Sequence, residues 1–135
     1  MRFFCSLFFP VALAGILAFR VQSSLLYFNV EHVLDVVRQR IKSQPGPRRV
    51  ICDLSNVPYA DLAAARMLRR LHDDLAAAQI DFKIVEAHGP VRDILRAEGL
   101  ESLVGAITRH HTLADAIAEP LEASPNPAVK SVSSG

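Results

Sequence analysis

The stretch from Val50 to Leu68 most constrains how this chain folds. Val50-Ile51-Cys52-Asp53-Leu54 is a short apolar run of β-forming residues, the right length for a strand and too short for a helix. Its apolar residues do not alternate with polar ones, so it reads as a central strand buried on both faces. The loop from Ser55 to Ala60, with Pro58 inside it, ends the strand. Asp61 then caps a helix to about Ala78, with Ala64, Leu68, Leu71 and Leu75 on its inner face and Arg66, Arg69, Asp73 and Asp74 mostly outside. A doubly buried strand feeding an amphipathic helix is the repeating unit of a layered α/β domain.

The flanking sequence repeats the alternation. Ile16 to Val21 and Leu25 to Phe28 are short apolar runs separated by Gln22-Ser23-Ser24, and the spacing predicts a hairpin. Asn29 is placed to cap a helix whose apolar positions, Val30, Val33, Leu34, Val37 and Ile41, form one stripe. Arg38, Arg40 and Lys42 favour its C-terminal end, and Pro45-Gly46-Pro47 stops it. A second buried strand is expected at Phe82 to Val85, then a helix with Pro90 near its start and Gly99 just beyond its end. Leu103 to Ile107 reads as a short last strand, and Thr112 as the cap of a final helix through Glu119. Parallel strands joined by helices require right-handed crossovers. The expected fold is therefore α/β, a mixed sheet of about four to five strands with about four helices.

Bulk properties narrow the function. A chain of 135 residues has room for one core. Fifteen Lys and Arg stand against 14 Asp and Glu, so no global field draws nucleic acid or an anionic membrane. With no Trp, the core is built from Ala, Leu, Val and Ile. Cys5 and Cys52 sit in unlike settings and are not expected to pair; Cys52 reads as a small reduced core residue.

Three segments follow: an apolar leader (1–14), the folded domain (15–119) and a tail (120–135). Met1 to Phe19 carries one charge, Arg2. A signal peptide with Ala12-Leu13-Ala14 as its cleavage site competes with a membrane span interrupted by Pro10 and Gly15, and with a remnant of, or junction with, a preceding membrane segment. The junction reading is preferred, because Ile16 to Val21 already belongs to the first strand. The tail is rich in Pro, Ala and Ser with little to bury, and disorder is expected there.

The run Val50-Ile51-Cys52-Asp53-Leu54-Ser55-Asn56-Val57-Pro58-Tyr59-Ala60-Asp61 resembles the central signature of STAS domains, a strand, a loop of the form D-L-S-x-V-x-[FY]-x-D, and a helix. The likeness extends back to Ile16-Leu17-Ala18-Phe19-Arg20 and Leu25-Leu26-Tyr27-Phe28-Asn29, and forward through Val91-Arg92-Asp93-Ile94-Leu95 and Glu98-Gly99-Leu100. It looks most like the cytoplasmic C-terminal STAS domain of SulP-type sulfate and anion permeases. The resemblance implies a non-catalytic regulatory module on the cytoplasmic side of the inner or plasma membrane, partnered by a permease membrane domain, with a regulatory protein and a homodimer left open. In anti-sigma factor antagonists, which share this fold, the residue after the second Asp is a phosphorylatable Ser; here it is Leu62, without a hydroxyl. A soluble partner-switching protein is the second reading.

Asp53, Ser55, Asn56, Tyr59, Asp61 and Leu62 are the candidate ligand- or partner-binding residues. Asp53 falls at the carboxyl end of a central strand, where open α/β sheets place ligand crevices. The helix start from Tyr59 to Ala64 offers unpaired N–H groups. The same residues also serve structure alone, since Asp is a common helix cap and Asp and Asn side chains bond their own loops. Adjacent His110 and His111 lack a third ligand at metal spacing, and His72 and His88 stand alone. No phosphate-binding or dinucleotide-binding glycine run and no nucleophile elbow occurs, so no catalytic residue, metal or cofactor is expected.

Overall fold

The computed structural model describes residues 7–13, 15–43, 46–105, 107 and 111–120, residues 7–13 through their backbone pairing. Expectations for Cys5, His110, residues 1–6 and the tail beyond Pro120 lie outside these. Among the described residues, four strands form one sheet in the order β1-β2-β3-β4: β1 (Leu7–Leu13), β2 (Ile16–Val21), β3 (Arg49–Asp53) and β4 (Asp81–Val85). β1 runs antiparallel to β2, while β2, β3 and β4 are parallel. Helix α1 (Val30–Ser43) crosses from β2 to β3, and α2 (Leu62–Ala77) crosses from β3 to β4. After β4 come α3 (Gly89–Ala97), α4 (Glu101–Val104) and α5 (Leu113–Ala118). The mixed α/β architecture agrees with the sequence reading.

Two expected strands are replaced. Residues 25–28 do not form a hairpin with β2; the hairpin partner is Leu7–Leu13, which the sequence reading assigned to the leader. Asn29 explains the first part. Its Oδ1 accepts the Leu26 N–H at 2.9 Å and its Nδ2 donates to the Ser24 carbonyl at 3.0 Å, so the carboxamide closes a turn behind itself instead of capping α1. Leu25 keeps a single parallel bridge, to Ala60. β1 tolerates Pro10 because it is an edge strand with a bulge: Phe8 pairs with Arg20 and Val11 with Ala18, leaving Phe9 and Pro10 opposite Phe19. The turn into β2 uses Gly15 at φ 80°, a conformation costly for other residues.

The second replacement is at Leu103 to Ile107. Leu100 and Val104, four residues apart, are both buried by one helical turn, α4, and Gly105 at φ 86° turns the chain out of it. The expected start and stop signals hold elsewhere, with Pro90 in the first turn of α3 and Gly99 at φ 75° after it.

The sheet's two faces are unequal. The main cluster joins Phe19, Val50, Cys52 and Ile84 to Val33, Leu34, Leu68, Leu71 and Leu95, from α1, α2 and α3. A separate small cluster on the other face holds Ala18, Ile51 and Val85 under Ala116 of α5. Burial, then the charge of Asp53, pushes the Cys52 thiol well above its ordinary range, which keeps it protonated and unreactive.

Candidate functional site

The parallel register of β2 and β3 sets Arg20 beside Asp53. Arg20 Nε donates to Asp53 Oδ2 at 2.9 Å, and the other oxygen, Oδ1, accepts the Ser55 N–H at 2.8 Å. Asp53 is wholly buried, and both of its oxygens are engaged by the protein. The ion pair holds two strands, and the second bond folds the chain into the loop after β3. His88, at the cap position of α3, brings its Nε2 to 2.7 Å from the Ser55 carbonyl. Because a carbonyl only accepts, this nitrogen carries the proton. The loops following β3 and β4 are thereby joined.

Asp61 is divided in the same way. Its Oδ1 accepts the Ala64 N–H at 2.9 Å as the cap of α2, and its Oδ2 accepts the Tyr27 N–H at 2.9 Å. Two further bonds, Leu25 N–H to the Tyr59 carbonyl and Asp61 N–H to the Leu25 carbonyl, lace residues 25–28 to residues 59–61. An Asp61→Ala variant is therefore expected to lose about 1.5 kcal/mol in chemical denaturation, in the upper part of the range for a lost cap. Asp61→Asn, which keeps an acceptor, should lose less than half of that.

This lacing creates a surface. Tyr27, Phe28, Tyr59 and Leu62 are 72, 62, 49 and 40% exposed, the four most exposed of the large hydrophobic side chains described. The rings of Tyr27 and Phe28 stack edge to face with centroids 5.4 Å apart. Exposed apolar side chains are ordinary when scattered, but a group on two segments tied by backbone bonds is a mark of an interaction site. Of the residues proposed from sequence, Asn56, Tyr59 and Leu62 are exposed, Ser55 is half-buried, and the carboxylates of Asp53 and Asp61 are turned to internal work. Tyr27 and Phe28 were missed as site residues, because their apolar run was read as strand; Asn29, which bends the chain there, was the signal available.

Among the described residues, no group of three or more His, Cys, Asp and Glu could hold a metal ion. His111 instead places its Nε2 3.0 Å from Glu119 Oε1. No described helix is long and apolar enough to cross a membrane.

The family profile for the STAS domain matches residues 11–116, most of the chain and all of the site just described. The chain belongs to the STAS family. No curated protein matches it in sequence. Among solved structures, this STAS domain resembles a putative anti-sigma factor antagonist from Thermotoga maritima, with TM-score 0.64 and 15% identity over 81% of this chain and 91% of that one. It is also similar to the murine Solute Carrier 26 family member A9 anion transporter in the inward-facing state, with TM-score 0.58 and 20% identity over 79% of this chain. A further structure of SLC26A9 gives TM-score 0.57 and 20% identity over 78% of this chain. The STAS domain spans 18 to 19% of those transporter chains. At these identities the likeness is one of fold.

Proposed function

We propose that this STAS domain is a non-catalytic docking module that regulates a SulP-type anion transporter by contact, on the cytoplasmic side of the membrane. The observation that carries this reading is the exposed group Tyr27, Phe28, Tyr59 and Leu62, set beside carboxylates whose oxygens are already used. Exposed aromatic anchors suit a protein partner better than an anion or a small polar ligand. Leu62 supports the transporter reading over the partner switch, because it puts an apolar side chain where the antagonists carry their phosphorylatable serine. The fold likeness to an anion transporter supports it as well.

The second reading, a soluble partner-switching protein with a kinase-fold partner, is favoured by the near full-length match to the Thermotoga antagonist. Size-exclusion chromatography separates the two. The chain is mixed in turn with the membrane domain of a SulP-type permease stripped of its own STAS domain, and with an anti-sigma kinase. Comigration with the membrane domain alone is the expected result; comigration with the kinase alone overturns it.

A further inference from the structure

The sheet face opposite the main core is covered, among the described residues, by α5, and α5 has six residues. A helix that short does not persist in water on its own. Its apolar contribution is small: Ala116 is buried against Ala18, Ile51 and Val85, with Leu113 and Ile117 partly buried beside them. The cluster is separate from the main core and shares no side chain with it.

What fastens α5 is polar. Arg49, almost fully buried at the start of β3, donates Nη1 to the carbonyls of Ala116 at 2.8 Å and Glu119 at 2.7 Å, and Nη2 to the carbonyl of Pro120 at 3.1 Å. A cation thus satisfies the carbonyls that the helix end leaves open. Its Nε is held by Asp81 Oδ2 at 2.7 Å. Glu119 is clasped by His111 at 3.0 Å and by Lys83 of β4 at 3.5 Å. At the front, Glu86, held at φ 58°, takes the Leu113 N–H at 3.4 Å and donates its own N–H to the His111 carbonyl.

We propose that α5 is a polar-fastened strap that opens from the sheet as a unit while the rest of the domain stays folded. Opening uncovers an apolar strip, Ala18, Ile51 and Val85, flanked by Arg49 and Lys83, a second surface separate from the aromatic one. The physical basis is the contrast between a helix fastened at its ends by directional contacts and a body held by a contiguous core; such segments form their own units of local unfolding.

Amide hydrogen exchange on the full chain tests it, read residue by residue at increasing urea below the unfolding transition. The Ala116 and Glu119 amides, bonded to the carbonyls of Thr112 and Asp115, should exchange at least about tenfold faster than those of Leu71 and Leu75, with a weaker urea dependence. Glu119→Gln should speed the α5 amides about threefold further and leave α2 unchanged. Equal rates and equal urea dependence for α5 and α2 in the wild type would overturn the proposal, and so would equal acceleration of both by Glu119→Gln.

Discussion

Replacing Asp53 by Ala should lower the unfolding free energy by about 3 kcal/mol, the lower end of the range for breaking a buried ion pair. The lower end applies because the Arg20 side chain is 28% exposed and regains some water. The variant also leaves the Ser55 N–H without its acceptor, in a loop that must turn sharply after β3. Asp53→Asn keeps the Ser55 acceptor but turns a donating NH2 toward Arg20, so it removes the ion pair and its hydrogen bond while sparing the loop, and it should lose less than Asp53→Ala. Urea denaturation of the two variants checks this ordering. Equal losses would mean that the Arg20 pair carries the whole effect, and a loss below about 1 kcal/mol for Asp53→Ala would mean that neither contact matters.

Arg49→Ala should produce a change of different shape. Three bonds to the carbonyls of Ala116, Glu119 and Pro120 disappear, at a cost to the closed strap of about 3 kcal/mol, while the ion pair with Asp81 of β4 is lost from the closed and open forms alike. Because α5 opens by itself, the strap's share of the loss in global stability is capped at the free energy of that opening; beyond it, the strap is simply open. The strap should therefore contribute less than its closed-state cost, and the variant should show a slightly reduced urea m-value because the surface under α5 is already exposed, and unprotected α5 amides. Protected α5 amides with an unchanged midpoint would contradict this.

Much of the fold was legible because local chemistry and tertiary context agree. Val50 to Leu54 is apolar enough to require two covered faces, and Asp61 and Thr112 cap the helices that their spacing announces. The N-terminal hairpin was misread for a physical reason. Residues 7–13 are uniformly apolar, and an edge strand carrying a proline has the same composition as a membrane segment until its pairing is known. Leu103 to Ile107 failed because a single turn of helix and a short strand bury two apolar residues equally well.

The site was half legible. The motif located the correct loop, but residue types alone do not show whether a carboxylate faces solvent or a neighbour: Asp53 is claimed by an arginine 33 positions away and Asp61 by a backbone N–H 34 positions away. Tyr27 and Phe28 are brought beside Tyr59 by the Leu25 to Ala60 bridge and the Tyr27 N–H to Asp61 bond, contacts with no sequence signature. Arg49 gave no signal either, since a charged residue at the edge of a buried strand ordinarily points to solvent.

That the aromatic surface docks a partner is tested most directly by titrating the chain against a SulP-type permease membrane domain lacking its STAS domain, comparing the wild type with a Tyr27→Ser, Phe28→Ser double variant. Both residues are exposed, so the variant should keep the wild-type unfolding midpoint while its Kd rises at least about tenfold, as expected when interface anchors are removed. Equal affinity for the two chains at equal stability would contradict it.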